Sequence, residues 1–96
     1  MFVVLLRFSE GRANAPQWQA GHQAWLQQGF DEGVFLLAGS LQPQQGGAVL
    51  AHCTSREALQ RRVNEDPFVA HGVVDAEILD IAASRSDERL RFLVDR

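Results

Sequence analysis

A chain of 96 residues has room for one domain, and a hydrophobic share of 46% places it among globular rather than disordered sequences. The formal charge is −3, and all nine basic residues are scattered arginines, so no basic stripe suits a nucleic-acid backbone. No apolar run approaches the ~18–20 residues of a membrane span, and a single cysteine excludes an internal disulfide, so a cytoplasmic soluble protein is expected.

The opening MFVVLLRF has neither a basic leader nor a cleavage site, and its segment Phe2–Phe8 reads as a strand rather than a signal peptide. SEGRANAP is turn material. Glutamine and alanine then dominate from Pro16 to about Glu32, which favours a helix with the proline in its first turn and Gly33 at its stop. Val34–Leu41 is a second strand, QPQQGG a loop, and Ala48–Cys53 a third strand, pairing as a hairpin. The cysteine in it, Cys53, is expected to be a small buried side chain. TSRE fits a capping box with Thr54 as the cap and Glu57 reaching back, opening a helix that ends before Pro67. Val73–Ala83 is the last core strand. In the tail, Leu90, Phe92 and Val94 alternate like an edge strand, with a short helix as the alternative.

The order β-α-β-β-α-β is the ferredoxin-like arrangement, an α+β fold with one antiparallel sheet and both helices on one face. Residues 1–83 form this domain, and 84–96 a C-terminal extension. The other face of such a sheet should be solvated, with polar residues alternating along each strand. FVVLL, VFLLA and AVLA do not alternate, so that face needs a cover as well. The simplest cover is the same face of a second copy, giving a homodimer with two sheets packed together.

In WQAGHQAWL a histidine lies between two tryptophans. At ~100° per residue, His22 falls about 40° from Trp18, with Trp25 about 20° to the other side and Leu26 about 80° around. His22 is therefore inside the stripe that faces the sheet, while Gln23, Gln27 and Asp31 point toward water. A buried imidazole without a partner costs ~1–3 kcal/mol. Asp31 is about 180° away on the same helix, and Glu32 is at its exposed end. Asp66 is the better partner, because Pro67 holds it in extended backbone where the second helix ends and its carboxylate can reach inward.

The spacing of GHQAWL, DEGVFLLAGSL, GGAVL and EDPFVAHGV resembles the YCII-related (YciI-like) proteins. The resemblance runs from Phe2 to about Ala83 and rests on His22, Gly39, Gly46-Gly47, Asp66-Pro67-Phe68 and Gly72-Val73. It implies a dimeric α+β barrel with a histidine–aspartate centre in a cleft, His22 and Asp66 taking those roles. A few relatives remove chloride from chlorinated hydroxyquinones, and the wider superfamily includes lactone isomerases and monooxygenases. Ser40 stands where many relatives have a proline, which adds a hydroxyl near the cleft.

Two functions are then in view. The first is an enzyme without metal or cofactor, acting on a small cyclic substrate, with His22 as base or acid and Asp66 fixing its tautomer. Ser40, Trp18, Trp25, Phe68 and His71 are its candidate substrate contacts. Each has a plainer reading: the tryptophans as core, His71 as a solvent-facing loop residue, and His22–Asp66 as a strut between helices. The second function is a non-catalytic dimeric module that binds a metabolite or a protein. No ligand spacing suggests a metal, and AGSLQPQQGG lacks the pattern of a phosphate loop. His52 reads as a strand-face residue, and Arg7 as an ion-pair partner of Asp75 or Glu77.

Overall fold

A computed structural model describes residues 1–94 of the chain. Strand β1 spans Phe2–Phe8, a 3₁₀ turn Glu10–Asn14 follows, and helix α1 runs Ala15–Asp31. Strands β2 (Phe35–Leu41) and β3 (Gly46–Ala51) form a hairpin. Helix α2 (Arg56–Asn64), a one-turn helix α3 (Pro67–Ala70) and strand β4 (Val74–Asp80) complete the domain. The sheet order is β2-β3-β1-β4, antiparallel throughout, which is the ferredoxin-like topology the element order predicts.

Burial alternates along β1 although hydrophobicity does not. Phe2, Val4 and Leu6 are buried, while Val3 and Leu5 between them are partly exposed. The buried set joins Trp25, Phe35, Val49, Leu59, Val63 and Ile78 in one core between sheet and helices. On the opposite face the register sets Leu50, Val3 and Leu79 side by side, with Leu37 next to Leu50. Leu37 is 56% exposed and Leu79 40%, so a contiguous apolar row crosses the sheet there. Arg7 closes the polar end of this face through an ion pair to Glu77 at 2.8 Å, one of its two expected partners.

Two local expectations are corrected. The cap of α2 is Ser55, not Thr54: Ser55 is extended (φ −89°, ψ 162°), and its hydroxyl accepts from the Ala58 N–H. Glu57 is then the second helical residue, one short of the capping-box position. Strand β3 stops at Ala51 rather than Cys53, since Cys53 has φ +54° and leaves the extended region; its side chain is exposed, not buried. Helix α2 does end before Pro67, and Pro67 then begins α3, where a missing N–H costs nothing. Of the two forms open to the tail, the structure has the short helix, a 3₁₀ segment at Glu88–Leu93; Leu93 is buried while Leu90 and Phe92 are exposed. The last two residues of the expected 84–96 extension lie outside those described. Among the described residues no helix is long and apolar enough to cross a membrane.

Candidate functional site

The sheet tapers in side-chain size beneath α1. At one end Phe35 and Ala51 face the helices and are buried with Trp25. Toward the other end the helix-facing positions of the hairpin fall to Ala38, Ser40 and Gly47. The helix also approaches unevenly. A Cβ on Gly29 would lie 2.1 Å from the Phe35 ring, so only glycine lets α1 sit that close to β2. Close contact at that end and small side chains at the other leave an open cleft of about 480 Å³. Its floor is Leu6, Val49, Gly47 and Ser40; its helix wall is His22, Leu26 and the glutamines 19, 23 and 27.

His22 is seated in this wall by three residues in a row. Asp66 is fully buried, extended (φ −62°, ψ 122°), and caps α3 by accepting the Phe68 N–H at 3.0 Å. The same oxygen, Oδ1, lies 2.8 Å from His22 Nδ1, within the direct reach that the sequence reading expects. Phe68 stacks on the imidazole with ring centroids 4.1 Å apart and planes at 4°. Pro67 allows the approach, meeting α1 at Gly21: a Cβ there would stand 2.9 Å from Pro67 Cγ. The imidazole is thus held at one edge by a carboxylate and on one face by a ring. Its side chain is 12% exposed. With Nδ1 taken, Nε2 is the ring nitrogen left for another partner. Asp66 Oδ2 is buried with no hydrogen-bond partner among the described residues.

Of the sequence-derived contacts, Ser40 and Phe68 line the cleft with His22. Trp25 does not; it is core, packs edge-on against Phe35, and its indole N–H donates to the Arg62 carbonyl at 2.8 Å. Trp18 and His71 stack on each other, 3.6 Å apart and parallel, away from the cleft lining. His52 Nδ1 lies 3.4 Å from Cys53 Sγ, and its ring meets Phe92. Gln19, Gln23 and Gln27 were not singled out by sequence reasoning. The helical angle marks Gln23 and Gln27 as water-facing, which holds, and gives no sign that the sheet falls away below them. Knowledge of the strand register, which aligns Ser40 with Gly47, would have exposed that gap.

Charge around the site is quiet. Glu32 accepts from Arg62 at 2.6 Å, and that hydrogen bond holds its carboxyl below the usual glutamate range. The pair joins the end of α1 to α2, outside the cleft lining. Among the described residues, no three His, Cys, Asp or Glu side chains gather as metal ligands would.

The YCII-related domain family matches residues 1–82, and the chain belongs to that family. The fold also matches 5-chloro-2-hydroxyhydroquinone dehydrochlorinase (TftG) from Burkholderia phenoliruptrix AC1100, in complex with 2,5-dihydroxybenzoquinone. That match has a TM-score of 0.68 at 15% identity and covers 86% of this chain and 95% of the other. A comparison with curated proteins gives no significant match.

Proposed function

We propose that the cleft is the active site of a small-molecule enzyme that works by proton transfer, with His22 as the general base. The observation that carries the reading is the seat of the imidazole: Asp66 on Nδ1 and Phe68 on one face, at the edge of a cleft large enough for a small ring. Asp66 accepts from Nδ1–H, so the basic lone pair is on Nε2. Imidazole ordinarily titrates near neutrality, where it takes and returns protons readily.

The reaction class is elimination or isomerisation next to a carbonyl. Nε2 takes a proton from carbon, and the C–H electron pair becomes a new C=C bond. In elimination the leaving group departs with its bonding pair; in isomerisation the proton returns to a different carbon. Ser40 lines the cleft, and in this reading its hydroxyl hydrogen-bonds a substrate oxygen. The membership of the chain in the YCII-related family, and its fold likeness to a dehydrochlorinase, support the small-molecule reading at the level of class. The functional unit we propose is a homodimer, formed through the apolar row Leu37, Leu50, Val3 and Leu79.

A structural role for the pair has one observation in its favour, because Asp66 would be needed to cap α3 even without chemistry. His22→Asn separates the two. Asparagine keeps a hydrogen bond to Asp66 but cannot serve as a base near pH 7. The first assay is chloride release from 5-chloro-2-hydroxyhydroquinone, with solvent-deuterium exchange into ring carbons of hydroxyquinones as a second readout. Turnover should fall ~10²–10⁴-fold with little change in melting. Equal rates in mutant and parent, with a lowered midpoint in the mutant, would return His22 to the scaffold and favour a binding module.

A further inference from the structure

The cleft wall carries a pattern that the base alone does not explain. Among the described residues no arginine, aspartate or glutamate lines it, and the one titratable group in the lining is His22. Eight of the nine arginines lie among the described residues, and none of the eight is in the lining. Instead three primary amides, Gln19, Gln23 and Gln27, follow one another at four-residue spacing along the rim of α1. Residues at that spacing lie on one helix face. Gln27 gives its N–H to Asp31 at 2.8 Å, which leaves its carbonyl oxygen. The amides of Gln19 and Gln23 make no hydrogen bond among the described residues.

Among the described residues of the lining a permanent anion would meet no fixed positive charge, and a permanent cation no fixed negative one, so the hydration either gives up has no ionic compensation there. An amide offers a donor and an acceptor, and so pairs equally well with a hydroxyl or a carbonyl. Phe8, Phe30 and Phe68 supply aromatic surface for a flat molecule. Resting on the reading of the cleft as a small-molecule site, we infer that it selects an uncharged flat ring carrying hydroxyl or carbonyl oxygens along one edge. Gln19 and Gln23 read those oxygens from the rim while Ser40 reads from the floor. They are specificity residues and take no part in the proton transfer.

The nearest challenge is Arg12. Its guanidinium lies 4.4 Å from the centroid of Phe8, a cleft residue, and it makes no ion pair among the described residues. Swung across the mouth, it would make the site prefer an anion.

Binding is measured by NMR titration in the His22→Asn protein, which has no base, so the outcome is independent of whether the chain is an enzyme. The probes are 3,5-dihydroxybenzamide, its anionic match 3,5-dihydroxybenzoate, and benzamide, which lacks the hydroxyls. The dihydroxybenzamide should bind, with shifts at cleft residues, and at least ~10-fold more tightly than the benzoate. Gln19→Leu and Gln23→Leu should each weaken it by ~2- to 12-fold, the worth of one net hydrogen bond. Both side chains are exposed, so melting should not move. Four results would overturn the inference: equal or tighter binding of the benzoate, equal binding of benzamide, glutamine variants that bind like the parent, or no probe bound at millimolar concentration. Should the benzoate win, loss of its advantage in Arg12→Gln would identify the cation responsible.

Discussion

Asp66 holds two hydrogen bonds through one oxygen, and three substitutions take them apart. Asp66→Ala removes the N-cap of α3, which is typically worth ~1 kcal/mol, and strands the His22 ring N–H, at ~1–3 kcal/mol for a largely buried donor. The sum is ~2–4 kcal/mol, and at ~4–8 °C per kcal/mol in a domain of this size the midpoint should fall by roughly 10–30 °C. Asp66→Ser keeps a capping oxygen for the Phe68 N–H but is too short to hold Nδ1. It should recover the ~1 kcal/mol of the cap and none of the rest. Asp66→Asn preserves an acceptor in place of Oδ1 and should stay within ~1 kcal/mol of the parent, since weaker neutral bonds are offset by a smaller desolvation cost. Thermal unfolding followed by circular dichroism gives the order parent, Asn, Ser, Ala. If Ser and Ala melt together, the cap contributes nothing. An Ala variant that melts with the parent would refute the buried two-bond geometry itself.

Gly21→Val should push α3 away, because the nearest atom to a Cβ at that position is Pro67 Cγ at 2.9 Å. Overpacking of this kind costs ~1–3 kcal/mol, and loss of the NMR coupling between the His22 and Phe68 environments would show that the seat has opened. The parent chain should sediment at twice its 10.7 kDa mass, and Leu37→Glu with Leu79→Glu should sediment at that single mass with the fold intact by circular dichroism. A parent already at the single mass at micromolar concentration would end the dimer proposal. Glu32, its carboxyl lowered by the hydrogen bond from Arg62, should titrate below an ordinary glutamate and return to the ordinary range in Arg62→Gln. A group whose folded value is depressed contributes stability above its unfolded value and loses it as pH falls through the folded one. The difference in stability between parent and Arg62→Gln should therefore shrink on acidification through the lowered Glu32 range, and a constant difference would count against the pair.

The ferredoxin-like order, the inward direction of His22 and the reach of Asp66 were legible because each depends on near neighbours in the chain. A helical angle needs only the helix, and the Asp66-Pro67 step needs only the steric rule for a residue before proline. Cys53 and Ser55 were misplaced for the opposite reason. Nothing in AHCTSRE marks a left-handed residue, and that one residue at φ +54° ends the strand and shifts the helix start by a position. Trp18 and Trp25 share a stripe, yet they separate in the fold. Trp25 reaches the core, and Trp18 meets His71, which arrives from a loop about fifty positions later in the chain. The cleft depends on two strands and a helix at once, so no single window of sequence contains it.

Residues 66–68 build the whole seat of His22: one caps, one starts the helix and fits against Gly21, and one stacks. The floor comes from the β2–β3 hairpin, through Ala38, Ser40, Gly47 and Val49, with Leu6 of β1 beside them, and the rim comes from the outer face of α1. None of the floor or rim side chains hydrogen-bonds Asp66 or His22 among the described residues. A substitution on the floor can therefore change the shape and hydrogen bonding offered to a ligand without disturbing the imidazole. In the chemistry proposed here, proton transfer is a property of α3 and the inner face of α1, and choice of substrate is a property of the hairpin and of the glutamine rim of α1. Ser40 belongs to the second group, which is why its hydroxyl bears on which ring is bound and not on whether His22 can act as a base.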